Sequence, residues 1–339
     1  MTYQHQFSCI NQLGVLKQTV SLDTKACLND LKDILKYMIL SNVLDKKCIA
    51  LQRTGRLGTF AASTGQEAIF ATAGYLLDDQ DVYVPYYRDQ AALLARGLAA
   101  DKVMSYWGGD ERGNDFSHQP QDMPYCVPIA TQCPHAVGIA YALKYTQQNN
   151  VVLVTLGDGA TSKGDFYESM NFSKIHNLPI IYLINNNQWA ISVPINLQSG
   201  NQALSQKGLS AGIDGYSVDG NDILALYQCL KHAIKQAREH NQPQLIEAVT
   251  YRICDHTTAD DASRYTCPET HTHATSLDPI KRAKLFLKQQ DHWHDDEDLK
   301  HQENSQKIVQ AAAEKYLNTE TQPITSLYQY HGTQEDTTT

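Results

Sequence analysis

The sequence predicts an α/β protein: a doubly wound, mainly parallel sheet with helices on both faces. From Asp81 onward, short apolar strands alternate with helical patterns, two of those strands are continuous apolar runs, and each of the two ends in a glycine- or asparagine-rich turn. Alternating strand and helix builds βαβ units, whose strands run parallel. A strand with no polar face is covered on both sides and lies at the centre of a sheet.

The elements follow in order. Leu28, Leu31, Leu35, Met38, Ile39 and Val43 recur at helical spacing, which predicts a long helix within Leu28 to Gly55. A second helix follows Thr64, where Gln66-Glu67-Ala68-Ile69-Phe70 continues with small residues to Gly74. Then come a strand at Val82 to Pro85, a helix near Asp89 to Arg96, strands at Val151 to Leu156 and Ile180 to Ile184, and a helix at Phe166 to His176 between the last two. A strand near Tyr216 to Val218, a helix from Asp222 to about Glu239 and a strand at Leu245 to Tyr251 complete the alternation. This organisation gives one domain over residues 28–320, an N-terminal extension at 1–27 and a polar tail at 321–339, whose end HGTQEDTTT is expected to fray.

With 339 residues, 42% hydrophobic and 19% charged, the chain can bury a core that needs no disulfide or metal staple. A formal charge of -9 argues against nucleic acid as a partner, because phosphate-backbone binders concentrate Lys and Arg. The opening residues contain neither a basic leader nor a continuous apolar stretch, and no apolar run is long enough to cross a bilayer. A cytoplasmic protein with no membrane partner is therefore expected. Eight scattered cysteines without a C-x-x-C pair are expected to be buried, reduced thiols. His292-Trp293-His294-Asp295-Asp296, with His271 and His273, is the one local cluster that invites a metal, but its charged neighbours predict a solvated surface.

The chemistry concentrates at the two central strands. Gly157-Asp158-Gly159-Ala160-Thr161 follows the first, and Asn185-Asn186-Asn187-Gln188-Trp189 follows the second. Either stretch alone reads as a turn. Between Gly159 and Asn186 lie 26 residues, 160 to 185, about one crossover helix with its turns, so Asp158 and Asn187 are expected side by side at the carboxyl ends of adjacent strands. Doubly wound sheets bind their ligands there. The flanking glycines are expected to let the backbone turn tightly and approach a bulky anion. Asp158 offers a carboxylate and Asn187 a carbonyl oxygen, and magnesium takes a few such oxygens while phosphate oxygens and water fill its remaining positions. No G-x-G-x-x-G opens a helix and no G-x-x-x-x-G-K-[ST] is present, so neither nucleotide loop competes.

These residues also carry a resemblance. GDGATSKGDFYESMNF with NNNQWAISVP is similar to the alpha subunits of thiamine diphosphate-dependent 2-oxo acid dehydrogenases, and RTGRLGTFAASTGQEA, VPYYRDQAALLARG, PIATQCPHAVGIAYALK, SQKGLSAGIDGYSVDGND and YRICDHTTADDASRY agree with it. The resemblance covers roughly residues 30 to 320. It implies that Asp158 and Asn187 ligate magnesium through side chains and Trp189 through its backbone carbonyl. It implies that Tyr87 and Arg88 contact the diphosphate, that Gly157, Gly159 and Ala160 line the same crevice, and that Ile129 props the cofactor into a bent shape. His256 is implied to reach the diphosphate and the reaction centre, where an ordinary pKa near 6.5 would suit proton transfer. Some relatives carry an arginine in place of Asn185, a glutamate in place of Lys163 and an arginine in place of Thr266. Thr257 takes the place of a serine phosphorylated in animal relatives and is expected to be unmodified.

The family's glutamate against the pyrimidine ring belongs to a second kind of domain, and only one such domain is evident here. The resemblance therefore implies a beta subunit, a heterotetramer of two alpha and two beta chains with active sites at their interfaces, and acyl transfer to a lipoyl group on an acyltransferase core. Pyruvate is the first expectation for the 2-oxo acid substrate, ahead of branched-chain 2-oxo acids and acetoin. A non-catalytic assembly subunit is the competing reading from another class.

Overall fold

A computed structural model describes residues 6–17, 24–201 and 203–328. In chain order the elements are α1 (Thr24–Arg53), α2 (Glu67–Leu76), β1 (Val82–Val84), α3 (Gln90–Ala95), α4 (Ala100–Trp107), α5 (Gln132–Tyr145), β2 (Val152–Gly157), α6 (Gly164–Ile175) and β3 (Ile180–Asn186). They continue with β4 (Trp189–Ala190), β5 (Val193–Pro194), α7 (Ile195–Gln198), β6 (Gly215–Asp219), α8 (Ile223–His240), β7 (Gln244–Val249), α9 (Pro268–Ser276), α10 (Pro279–Gln289) and α11 (Asp295–Leu317). The five long-range strands form one sheet in the order β1-β2-β3-β7-β6, and every neighbouring pair is parallel.

Alternation within the central strands explains the two layers. Val152, Val154 and Leu156 of β2 and Ile180, Tyr182 and Ile184 of β3 belong to one apolar cluster, with α5 and α6. Leu153, Ile181 and Leu183 belong to the opposite cluster, beneath α1, α2 and α8. Side chains at successive strand positions point to opposite faces, so a strand clothed on both sides must be apolar on both. The doubly wound expectation holds.

The chain steps from β1 to β2 to β3 in one direction, then jumps to the far edge at β6 and returns to β7. Right-handed crossovers place α5 and α6 on one face for the first direction and α8 on the other for the return. Asp222 starts α8 by accepting from Ala225 N at 2.9 Å. Its second oxygen takes Cys9 N at 2.6 Å and Ile10 N at 2.7 Å, and Phe7 bridges to Val218, so residues 6–17 dock along the β6 edge. The helix α1 starts at Thr24, inside the stretch read from sequence as an extension, and the polar end 331–339 lies outside the described residues.

Two expectations need correction. Trp293 is 1% exposed and stacks on His301 with ring centroids 5.3 Å apart, so it is core, although His294, Asp295 and Asp296 around it are exposed. Large aromatic area wins over a charged neighbourhood. No metal-ligating group of three or more residues occurs among the described residues. Of the cysteines, Cys9, Cys27, Cys48 and Cys133 are buried, whereas Cys126, Cys229 and Cys254 are half-buried and Cys267 is exposed. Among the described residues no helix is long and apolar enough to cross a membrane.

Candidate active site

Four loops, each following a parallel strand of the sheet, enclose a cavity of about 230 Å³. All ten site residues expected from the sequence line it: Tyr87 and Arg88 after β1; Gly157, Asp158, Gly159 and Ala160 at the end of β2; Asn187 and Trp189 after β3; His256 after β7; and Ile129 from the segment before α5. Gly157 pairs with Asn185 in the β2–β3 register, which brings the two motifs to one end of the sheet.

Asp89 fixes the first loop. It is fully buried and accepts from Tyr83 OH at 2.9 Å, from Tyr86 N at 3.0 Å and from Thr155 Oγ1. Burial pushes its carboxyl up to about 7 against these hydrogen bonds. Held in this way, Arg88 runs through the interior at 1% exposure and donates to Ala62 O at 2.6 Å and to His256 O at 2.9 Å.

The glycines act differently from the expectation. Neither Gly157 nor Gly159 has a positive φ, so neither is required by the turn. A Cβ on Gly159 would lie 2.9 Å from Ala190 Cβ, so close packing against the β4–β5 hairpin is what excludes a side chain there. Gly157 has nothing nearer than 3.8 Å. Positive φ instead occurs at Ala130 (63°), Gln188 (70°) and Ile191 (54°), on or beside the cavity wall. The other non-glycine cases, Gln147, Asn177, Asn241 and Asp291, follow the ends of helices, where the left-handed conformation is ordinary. The backbone strain thus concentrates at the site.

Two arginines act on both Asp158 and His256. Asp158 is 2% exposed, and burial pushes its carboxyl up to about 6. His256 Nδ1 lies 3.3 Å from Arg88 Nη2 and 3.1 Å from Arg252 Nη1. A guanidinium only donates, so Nδ1 accepts and the ring proton sits on Nε2. Burial, then Arg88 and Arg252, pull His256 down to about 3, which corrects the expectation of an ordinary imidazole pKa. Arg252 also donates to Ile191 O and Tyr265 OH, each at 2.8 Å, while Asp260 accepts from His256 N at 2.8 Å and from Tyr265 OH.

Sequence pattern alone assigns no role to Arg252, Gln66 or Gln198, although the first two lie within the family-like stretches YRICDH and STGQEA. None of the three departures lines the cavity, although Asn185 lies directly behind its wall. Asn185 is fully buried and donates to Gln66 Oε1 and Tyr86 OH, each at 2.7 Å. Lys163 is exposed beside Asp165, and Thr266 Oγ1 returns to Ala262 O at 2.7 Å. Thr257 Oγ1 accepts from Ala259 N at 3.3 Å within the histidine loop.

A carboxylate and a carboxamide oxygen facing one cavity suit a hard cation, and a guanidinium fork suits phosphate oxygens. The sequence matches the model of the family described as "Dehydrogenase E1 component" over residues 35–325. The chain belongs to this family. The match takes in this dehydrogenase E1 chain from within α1 through α11, and with it all four loops of the cavity. Among its relatives, the pyruvate dehydrogenase E1 component subunit alpha of Mycoplasma genitalium is 38% identical over 257 residues, covering 76% of this chain and 72% of the relative. The subunit of the same name from Staphylococcus aureus is 35% identical over 327 residues, covering 96% of this chain and 88% of its own length.

Proposed function

We propose that this chain is the alpha subunit of a pyruvate dehydrogenase of the thiamine diphosphate-dependent 2-oxo acid dehydrogenase family, holding the cofactor's diphosphate through magnesium. The observation that carries this reading is the convergence of Asp158, Asn187, Arg88 and His256 on one cavity at the carboxyl end of the sheet. The donor set fits the group: the buried carboxylate of Asp158 and Oδ1 of Asn187 would ligate the cation together with the Trp189 carbonyl. Arg88 and Tyr87 would hold phosphate oxygens. Bound thiamine diphosphate supplies the electron sink for decarboxylation. The chain's own residues position it: Ile129, 46% exposed, would bear on its middle, Gly157, Gly159 and Ala160 leave room for the phosphates, and His256 offers Nε2–H as a neutral donor.

No glutamate lines the cavity among the described residues. The chain's family membership supports a beta partner, and we place the chain in a heterotetramer of two alpha and two beta chains, with the beta chain supplying the pyrimidine side and the acyl group passing to a lipoyl acyltransferase in the cytoplasm. Co-expression with a beta-type chain, followed by decarboxylation assays on pyruvate and 2-oxoisovalerate, tests the reading. Magnesium-dependent cofactor binding with pyruvate preferred is the expected result. Substantial turnover by the chain without a partner rejects the division of labour, and preference for 2-oxoisovalerate moves the substrate to the branched-chain class. A complex that binds no cofactor makes the chain an assembly subunit.

A further inference from the structure

Two carboxamides flank the proposed cation ligands, and they use opposite hydrogen-bonding polarity. Gln66 is fully buried, and its Oε1 accepts from Asn187 Nδ2 at 2.9 Å as well as from Asn185 Nδ2. Gln198, on α7, donates its Nε2 to Asp158 Oδ2 at 3.1 Å. We infer that Gln66 and Gln198 are positioning residues that fix which oxygen each side-chain ligand presents to the cation. The inference rests on the proposed magnesium site.

An asparagine amide has two faces, and only its oxygen can ligate. Asn187 Oδ1 accepts from Trp189 N at 3.2 Å, so turning the amide over would set its NH₂ against that backbone N–H. Gln66 Oε1 holds the NH₂ from the other side. The two contacts leave one orientation, with Oδ1 free to take a second partner. Asp158 has the complementary problem, because a carboxylate with two free oxygens can rotate or chelate through both. Gln198 donates to Oδ2, which fixes the rotation of the carboxylate about its Cβ–Cγ bond and so sets the direction in which Oδ1 is presented.

The unused halves of both carboxamides reinforce the assignment. Gln66 Nε2 and Gln198 Oε1 are buried without a hydrogen-bond partner. A carboxamide kept inside the protein with one end unsatisfied costs stability, so its retained end has a compensating role. Chain connectivity adds to this. The segment that leaves Asn187 passes through Trp189 and the β4–β5 hairpin and ends in α7, so Gln198 returns it to Asp158. Both side-chain ligands and the proposed backbone ligand are tied into one closed loop. Partners of this kind orient ligands in metal sites generally, and their loss costs roughly 10- to 100-fold in metal affinity.

The test titrates Mg²⁺ and Ca²⁺ into the alpha–beta complex with thiamine diphosphate present, by calorimetry, for the parent, Gln66→Met, Gln198→Met and Asp158→Ala. The methionine variants keep volume and remove the polar contact. The inference expects Mg²⁺ affinity to fall roughly 10- to 100-fold in each, with Ca²⁺ affinity falling less, because calcium tolerates looser geometry. A purely structural role would instead lower the unfolding temperature of the cofactor-free complex and leave the Mg²⁺ to Ca²⁺ ratio unmoved. If Gln66→Met does not fold, half-buried Gln198 decides the question alone. Should Asp158→Ala lose Mg²⁺ while Gln198→Met stays within about threefold of the parent, the positioning role falls and the metal site stands. Should Asp158→Ala keep the parent's affinity, the metal site itself is wrong and this inference falls with it.

Discussion

Arg252 points Nη1 at the Nδ1 of His256 across 3.1 Å. Arg88 reaches the same nitrogen from the loop that follows β1, the edge strand. A protonated imidazole would have to face two guanidinium groups, so the fold selects the neutral ring.

A pH dependence follows, with its sign fixed by the two pKa values. His256 titrates at about 3 in the folded chain against an ordinary 6.5. Between these limits the unfolded chain binds more protons, so this group's stabilisation is complete above 6.5 and is lost as pH falls toward about 3. In His256→Gln, the unfolding temperature of the cofactor-free chain should depend less steeply on pH across that window. Equal slopes for parent and variant would mean that the imidazole titrates freely in the fold.

Asp158 gives the opposite experiment. Its carboxyl is held up to about 6 by burial and must be ionised to ligate a cation. Below that value Mg²⁺ affinity should fall by about tenfold per pH unit, because each cation bound displaces one proton. Calorimetric titration at a series of pH values measures the slope, and a flat profile would contradict the assignment of Asp158 as a ligand.

The two glycines of the first motif should behave unequally. Gly159→Ala drives a methyl group into Ala190 and should cost about 1–3 kcal/mol while displacing the hairpin that carries Trp189 and Ile191. Gly157→Ala meets only the Tyr86 ring, at an ordinary contact distance of 3.8 Å, and should fold normally. Thermal unfolding and cofactor binding of the two variants, measured together, make the comparison.

Trp293 separates stability from binding. Trp293→Ala should cost about 3–5 kcal/mol in denaturant unfolding because it empties a fully buried aromatic site. Below its unfolding transition the variant should bind magnesium and cofactor as the parent does, since Trp293 does not line the cavity.

The sheet is legible in the sequence because its central strands are continuous apolar runs, and a run of that length bounded by turns marks a strand covered on both faces. Val151 to Leu156 and Ile180 to Ile184 read directly, and the crossover length between Gly159 and Asn186 then locates Asp158 and Asn187. Tyr87, Arg88, Ile129, Trp189 and His256 come from motif resemblance, because nothing in local pattern distinguishes a site arginine from any other. Arg252, Gln66 and Gln198 escape a sequence reading for the same reason: each acts through a partner, and Gln66 meets Asn187 across 121 positions. The role of Gly159 is misread from sequence because a glycine forced by a neighbour's Cβ looks there like one forced by a turn. Trp293 is misjudged because its charged neighbours point outward from the start of α11 while its own ring turns inward.

Arg88, Asp158, Asn187 and His256 hang from four strand ends spread along the chain, and β7, which delivers the last of them, inserts between strands made before it. No nascent chain that stops short of residue 256 therefore holds the whole constellation, and the long-range pairing of β3 with β7 must close before the pieces meet. On the proposed reading, cofactor binding therefore waits for chains whose sheet is already complete.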